Sequence, residues 1–273
     1  MNKRLIVLTD LSESSSDLVQ YADNWATDQI ASLVLLHQTM PVIPGMIEKK
    51  NKDTLLKLAN EEELKKLKKL KQSLTVANKK IVVRASEKNL VNQIREFLAD
   101  PFEHIIVIGL KQPSGFFKKF VWGGTAIQVI ENSQAIVAAI PKGLSQFSLN
   151  RIFVGITQKH PVNILALNSF FDFFEKLSIS VTFFYWAQPQ EDTAPIEKIL
   201  LGLTRLFAHK FQTSFHVYRS TQELQSLQQV ITNEEQDLLV IQKGSRLLTD
   251  QLFRKYLINE LVHQGTTPFV VLP

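Results

Sequence analysis

His104-Ile-Ile-Val-Ile-Gly109 is the stretch that decides the fold, because an altered form of it returns about 133 residues later as Asp237-Leu-Leu-Val-Ile-Gln242. Both stretches lead into a loop with glycine and lysine, then an amphipathic run, then an apolar segment that ends in proline. The two halves also open alike, with Arg4-Leu-Ile-Val-Leu-Thr9 and Arg151-Ile-Phe-Val-Gly155. A repeat of roughly 130 residues is too long for a solenoid unit and has the size of a domain. The sequence therefore predicts two copies of one domain.

The composition of the chain limits the classes of protein to which it can belong. Its 273 residues are 45% hydrophobic and 21% charged, close to the averages of globular proteins, and suffice for two domains with their own cores. No apolar run reaches the roughly 18 residues of a membrane span, and Met1-Asn-Lys-Arg leads directly into a short strand rather than a secretory signal. The chain has no cysteine, which excludes disulfides and thiolate metal sites. We expect a cytoplasmic protein with no membrane partner.

A lysine-rich stretch accounts for much of the positive charge. Glu61-Glu-Glu-Leu-Lys-Lys-Leu-Lys-Lys-Leu-Lys71, followed by Leu74, places leucines three and four residues apart, which predicts one apolar helical stripe opposite a solvated, charged face. Surfaces that bind single-stranded nucleic acid combine basic residues with stacking aromatics, and this stretch has none. Nucleic acid is therefore not an expected partner.

Strand and helix patterns alternate along both copies. The strands are short, continuous apolar runs, as expected of a parallel sheet that is covered on both faces. We predict strands at Arg4–Thr9, Ser32–Gln38, Lys80–Arg84, His104–Ile108, Ala135–Ile140, Arg151–Gly155, Ser180–Tyr185, Thr213–Tyr218, Leu238–Gln242 and Phe269–Leu272. We predict helices at Ser14–Asp28, Lys52–Leu74, Asn89–Leu98, Thr125–Asn132, Val162–Leu177, Pro195–Phe211, Thr221–Glu234 and Gln251–His263. The result is an α/β protein with two doubly wound domains, at residues 1–142 and 149–273.

Three features of the first copy converge where such folds bind ligands, outside the carboxyl ends of the strands. Asp10 follows the first strand, Gly109 follows the fourth, and Gly123-Gly124-Thr125 opens the next helix. Glycines let backbone N–H groups approach phosphate oxygens, and a helix N-terminus presents unpaired donors. Each feature also has a structural explanation: Asp10 as a helix-start acceptor, Gly109 and Gly115 as turn residues with positive φ, Thr125 as a helix cap. His37, at the end of the second strand, either borders this cleft or is packed.

These residues resemble the universal stress protein family. The resemblance rests on Lys3-Arg-Leu-Ile-Val-Leu-Thr-Asp10-Leu-Ser-Glu-Ser14, on the turn at Leu36-His37, and on Val-Ile-Gly109 followed by Gly123-Gly124-Thr-Ala-Ile-Gln-Val-Ile. With its second copy, the whole chain looks like a tandem member. The resemblance implies Rossmann-like domains of five parallel strands in the order 3-2-1-4-5. It also implies pairing through the last strand of each domain, within one chain or in a homodimer.

Many members of the family bind ATP through a motif of Gly-x-x-Gly, nine residues, Gly and Ser or Thr, with an Asp after the first strand. By this resemblance Asp10 lies near the ribose and a metal such as Mg²⁺, and Gly109 is the first glycine. Gln112 stands at the second, with Gly115 three positions further on. Ten residues, rather than nine, separate Gln112 from Gly123, and Gly124 takes the hydroxyl position before Thr125. The motif of the first copy is altered but recognisable.

The second copy departs further from that motif. No acid follows its first strand, where Gly155-Ile-Thr157 stands, and Gln242 and Ser245 replace the first two glycines. Tyr256-Leu-Ile-Asn259 occupies the region of the third. We expect no ATP in this copy.

These patterns favour a stress-response regulatory module that binds ATP or AMP in its first copy only. The alternative is a scaffold or interaction protein in which both sites have lapsed, as the changes at Gln112 and Gly124 would allow. An ATP-hydrolysing enzyme is the weakest reading, because no general base or metal-binding pair of carboxylates accompanies the loop. The scattered histidines have no metal-ligand spacing, and no nucleophile motif is present.

Overall fold

The structure is a computed structural model that describes residues 2–12, 14–29, 31–41, 49–74, 81–110, 124–158, 161–174, 177–219, 237–244 and 267–273. These residues divide into two compact units, 1–109 with 143–147 and 110–142 with 148–273. The predicted helices Thr221–Glu234 and Gln251–His263 lie outside the described residues. The predicted domain boundaries, 1–142 and 149–273, stay a prediction.

The first unit is a parallel sheet with helices in its crossovers. Its strands are β1 (Asn2–Leu8), β2 (Ser32–Gln38), β3 (Ile81–Ser86) and β4 (Phe102–Gly109), and its helices are α1 (Ser14–Asp28), α2 (Lys49–Gln72) and α3 (Leu90–Leu98). β1 pairs with β2 and β4, and β2 pairs with β3, so the order is β3-β2-β1-β4. Leu5, Ile6 and Val7 of β1 are completely buried, which explains the unbroken apolar run of this central strand.

The second unit repeats this arrangement and adds two strands, the last strand of each copy. It contains α4 (Gly124–Asn132), β5 (Ile136–Ile140), β6 (Arg151–Gly155), α5 (Ile164–Asp172), β7 (Ser180–Ala187), α6 (Ala194–Phe207), β8 (Gln212–Arg219), β9 (Asp237–Gln242) and β10 (Phe269–Leu272). The strands β10-β9-β6-β7-β8 are all parallel to their neighbours. Read from the first strand of the copy, this is the predicted order 3-2-1-4-5. The predicted α/β class with parallel sheets is confirmed.

The last strands of the two copies pair with each other, as predicted. β10 runs antiparallel to β5, with Val270 opposite Ala138. The five residues of β5 are all buried, and so are the four of β10. Pairing within the chain therefore covers two apolar strands whose free edges would otherwise invite aggregation.

Most predicted elements lie within three residues of their observed bounds, but two helices of the second copy are shorter than predicted. The first of them was predicted over Val162–Leu177 and ends at Asp172, where Phe173 forms the C-cap. The second, α6, ends at Phe207 rather than Phe211. The apolar pattern continues past both ends because these phenylalanines belong to the core: Phe173 is completely buried and Phe211 nearly so. A pattern of apolar residues indicates which side chains are buried, but a buried side chain need not belong to a helix.

The phenylalanine-rich run Phe170–Phe174, at the end of α5 and just beyond it, lies in the core of the second unit. Phe170, Phe171, Phe173 and Phe174 are each completely buried. Phe171 makes edge-to-face contacts with Phe207 and Phe211, at centroid distances of 4.9 and 5.0 Å. Such contacts anchor α5 and α6 on the sheet.

Candidate functional site

Asp10 lies directly after β1 and holds the start of α1. Its Oδ1 atom accepts hydrogen bonds from the backbone N–H of Ser12 (3.1 Å), the hydroxyl of Ser12 (2.6 Å) and the hydroxyl of Ser15 (2.7 Å). Leu11, between them, has φ of 59°, a left-handed conformation that side chains rarely adopt. The helix-start interpretation of Asp10 therefore has direct support. The carboxyl group is exposed at this edge of the sheet, so a role toward a ligand does not conflict with it.

Gly109 ends β4 beside β1. The parallel register pairs Leu8 with Ile108, so Asp10 and Gly109 follow neighbouring strands at the same carboxyl edge. A Cβ atom at Gly109 would lie 3.3 Å from Cδ2 of Leu18 in α1, closer than side chains normally pack. Its φ is not positive, in contrast to Gly143 and Gly244. A side chain at this position would force Leu18 to shift by a few tenths of an ångström, and the interpretation of Gly109 as a positive-φ turn residue does not hold.

The other predicted site residues are only partly described. α4 begins at Gly124, so Gly124 and Thr125 open this helix as predicted. Gln112, Gly115 and Gly123 lie outside the described residues, as do the lysines of the same loop. The set Asp10, Gly109, Gln112, Gly115, Gly123, Gly124 and Thr125 therefore stays a prediction as a binding site.

His37 contacts the backbone next to Asp10. Its Nδ1 atom lies 2.8 Å from the carbonyl oxygen of Thr9. A carbonyl can only accept, so Nδ1 carries the proton and donates. The Nε2 atom lies 3.8 Å from a carboxylate oxygen of Glu63 in α2. His37 is thus a partly buried residue that fixes the end of β1, consistent with the packed interpretation.

The corresponding place in the second copy is filled by a side chain. Leu110 and Lys243 donate equivalent backbone hydrogen bonds, to Ile140 and Leu272 respectively, which aligns the preceding residues Gly109 and Gln242. The Gln242 amide accepts from the backbone N–H of Asn163 (2.8 Å) and donates to the carbonyl oxygen of Pro273 (2.6 Å).

Gln242 is 8% exposed, so its amide is held inside the edge where a glycine would leave room. Asn163 is in turn the N-cap of α5, and its side chain accepts from the N–H of Ala166. A polar network of the chain itself therefore occupies the edge that would face a ligand in this copy.

Sequence reasoning did not identify Ser15, Leu18 or Asn163. Ser15 and Leu18 face the site from the first turns of α1, and their spacing on one helical face was the available signal. Asn163 could have been found as a helix cap preceding an apolar run.

Within the described part of the chain, no group of three or more His, Asp or Glu side chains could hold a metal ion. Among the helices that the structure describes, none combines the length and apolarity needed to cross a membrane.

Three solved structures share this architecture over nearly the full length of both chains. A universal stress protein from Archaeoglobus fulgidus DSM 4304 aligns with a TM-score of 0.71 and 17% identity, covering 98% of this chain and 97% of its own. The cytoplasmic domain of a prokaryotic cation chloride cotransporter gives 0.55 and 14%, covering 99% and 95%. A putative universal stress protein from Pseudomonas aeruginosa UCBPP-PA14 gives 0.51 and 11%, covering 100% and 93%. At these identities the likeness concerns the fold. No curated protein matches the sequence.

The sequence itself decides the family. The model of the universal stress protein family matches residues 1–141, which is more than half of the chain and includes Asp10, Gly109 and the Gly-Gly-Thr run. The chain belongs to the universal stress protein family.

Proposed function

We propose that this protein is a stress-response regulatory module that binds ATP or AMP in its first copy only. The observation that supports this proposal is the contrast between Gly109 and Gln242, which occupy equivalent positions in the two copies. Gly109 leaves the end of β4 without a side chain, whereas the Gln242 amide fills the end of β9. Phosphate groups need backbone N–H donors that no side chain obstructs.

The first copy supplies donors of the required kind. The loop that starts at Gly109 leads to the N-terminus of α4, where the first backbone N–H groups of a helix have no partner within it. ATP would be held by this loop and by Gly124 and Thr125, with Asp10 toward the ribose and Mg²⁺, as the family resemblance implies. A cytoplasmic address belongs to the same proposal.

Calorimetry with ATP, ADP and AMP, each with and without Mg²⁺, tests the proposal on the full chain. We expect one nucleotide per chain. Gly123→Val should abolish binding, because a branched side chain would block the approach of the phosphates to the backbone. Ile258→Val, the matching position of the second copy, is the control and should leave the affinity unchanged.

Two outcomes would contradict this assignment. Binding that persists in Gly123→Val would place the nucleotide elsewhere, and two nucleotides per chain would mean that the second copy also binds. Circular dichroism of both variants is needed to show that loss of binding is not loss of folding.

A scaffold without nucleotide is the second candidate, and one observation favours it. The hydrogen bonds described above for Oδ1 of Asp10 come from its own loop and the first turn of α1. These bonds explain Asp10 without any ligand. Absence of heat and of thermal shift with every nucleotide would favour this candidate.

A further inference from the structure

Lys243 of the second copy reaches a helix of the first copy. Its Nζ atom donates to the carbonyl oxygens of Glu131 (2.6 Å) and Ser133 (3.1 Å), at the C-terminal end of α4. All three residues belong to the second compact unit. The backbone of Lys243 is fixed as well, since its N–H donates to Leu272 of β10 at 2.8 Å.

This contact suits the chemistry of a helix end. The last carbonyl groups of a helix have no partner within it, and they carry the negative end of the helix dipole. α4 has no basic residue in its own last turn. Lys243 supplies the missing positive charge from another element, and it fixes the point at which α4 leads into β5.

α4 is the helix that begins with Gly124 and Thr125. A helix of nine residues is short and stiff, so a constraint on its C-terminal end also constrains the N-terminal end. The position of the phosphate-binding end of the first copy thus depends on a residue in the altered loop of the second.

We propose that Lys243, which follows β9 of the second copy, is a positioning residue for the nucleotide site of the first copy. This inference rests on the proposed function. Gln242 fills the site of its own copy, while its neighbour Lys243 holds α4. The residue of the first copy with the equivalent backbone bond is Leu110, which is buried and apolar and cannot supply such a charge.

The test compares four full-length proteins: wild type, Lys243→Met, Lys243→Arg and the control Lys198→Met. Lys198 is an exposed lysine of α6, so its replacement removes the same charge without touching α4. ATP affinity is measured by calorimetry, and amide hydrogen exchange is followed over residues 124–132 without nucleotide. We expect Lys243→Met to weaken ATP binding by about 2- to 5-fold and to accelerate exchange in α4. Lys243→Arg should restore most of both, and Lys198→Met should change neither.

The outcomes separate this inference from the proposed function. If wild type binds ATP and Lys243→Met binds it equally well, the positioning role is wrong and the proposed function stands. If affinity falls equally in Lys243→Met and Lys198→Met, the effect is one of net charge, and the positioning role is again wrong. If wild type binds no nucleotide, the proposed function fails and so does the link to affinity, whatever the exchange in α4 shows.

Discussion

At the scale of single residues, the candidate site combines functional and structural demands on the same side chains. Asp10 holds the start of α1 with its Oδ1 atom, next to Leu11 in a strained conformation. Strained backbone persists where the surrounding contacts fix it, and such positions cluster at functional sites. Asp10 can therefore be tested for its two roles separately.

Replacement of Asp10 should separate its role as a hydrogen-bond acceptor at the start of α1 from the effect of its negative charge on a ligand. Asp10→Ala removes the acceptor of three hydrogen bonds and should lower the free energy of unfolding by about 1 kcal/mol, the usual cost of losing such a cap. Asp10→Asn keeps an acceptor oxygen and should cost less. Both should weaken ATP binding if the carboxylate charge acts on the ligand. Urea unfolding and calorimetry measure the two effects, and unchanged affinity in Asp10→Asn would leave Asp10 a structural role alone.

His104 predicts a dependence of stability on pH. Burial, followed by the positive charge of Arg4, lowers the pKa of His104 below its ordinary value of 6.5, although a hydrogen bond to the carbonyl of Asp100 acts in the opposite direction. Below pH 6.5 the imidazole of His104 therefore binds a proton in the unfolded chain, whereas in the folded chain it stays neutral until the pH reaches its lowered pKa. Stability should fall as the pH drops from 6.5 through the lowered pKa of the folded state.

Urea midpoints at several pH values between 7.5 and 5 measure this effect. His104→Gln should lose that part of the decline, whereas the exposed His209→Gln should retain it. An identical decline in wild type and His104→Gln would show that other groups cause it.

At the scale of elements, two contacts determine which side chains are buried: that of α2 with β3, and that of β10 with its two neighbouring strands. α2 packs on β3 through the predicted leucine stripe, of which Leu67 is completely buried while the lysines remain on the outer face. β10 lies between β5 and β9, so its backbone is paired along both edges of the strand, and all four of its residues are buried.

Two valines of similar secondary structure should respond differently to the same change. Val270 of β10 is completely buried, whereas Val82 of β3 is 37% exposed. Val270→Thr places a hydroxyl in the core and should lower the free energy of unfolding by about 1–3 kcal/mol. Val82→Thr should stay within about 0.5 kcal/mol of wild type. Equal effects in urea unfolding would mean that β10 is not enclosed by its two neighbours.

At the scale of the whole molecule, the two copies have the same strand order but different chemistry at the carboxyl edge. The first copy retains Asp10 and Gly109, and the second has closed the equivalent edge with Gln242 and Asn163. The fold and the chemistry of this edge can differ in this way because the fold depends on the apolar strands, whereas the edge depends on a few residues at their ends.

Turnover distinguishes a binding module from an enzyme. Catalysed phosphoryl transfer needs a positioned metal, stabilised charge on the transferred group and an oriented nucleophile. Among the predicted site residues that the structure describes, Asp10 is the only one with a carboxylate that could bind a metal or orient water. We expect ATP hydrolysis far slower than the roughly 1–100 s⁻¹ of kinases. Steady-state phosphate release with Mg²⁺ or Mn²⁺ measures it, and a rate in that range that is lost in Asp10→Ala would identify an enzyme.

The sequence by itself determined the duplication, the α/β class, the strand positions and the family, because these follow from apolar periodicity and from local motifs. It predicted the start of α1 for the same reason. It overextended α5 and α6, since buried phenylalanines beyond a helix end continue the apolar pattern.

Only the tertiary structure decided how residues distant in sequence meet. Three such contacts join separate elements: Gly109 lies close to Leu18, Gln242 bridges Asn163 and Pro273, and Lys243 binds the end of α4. No local pattern encodes them, because they depend on the register of the strands and on which chain segments the sheet brings side by side.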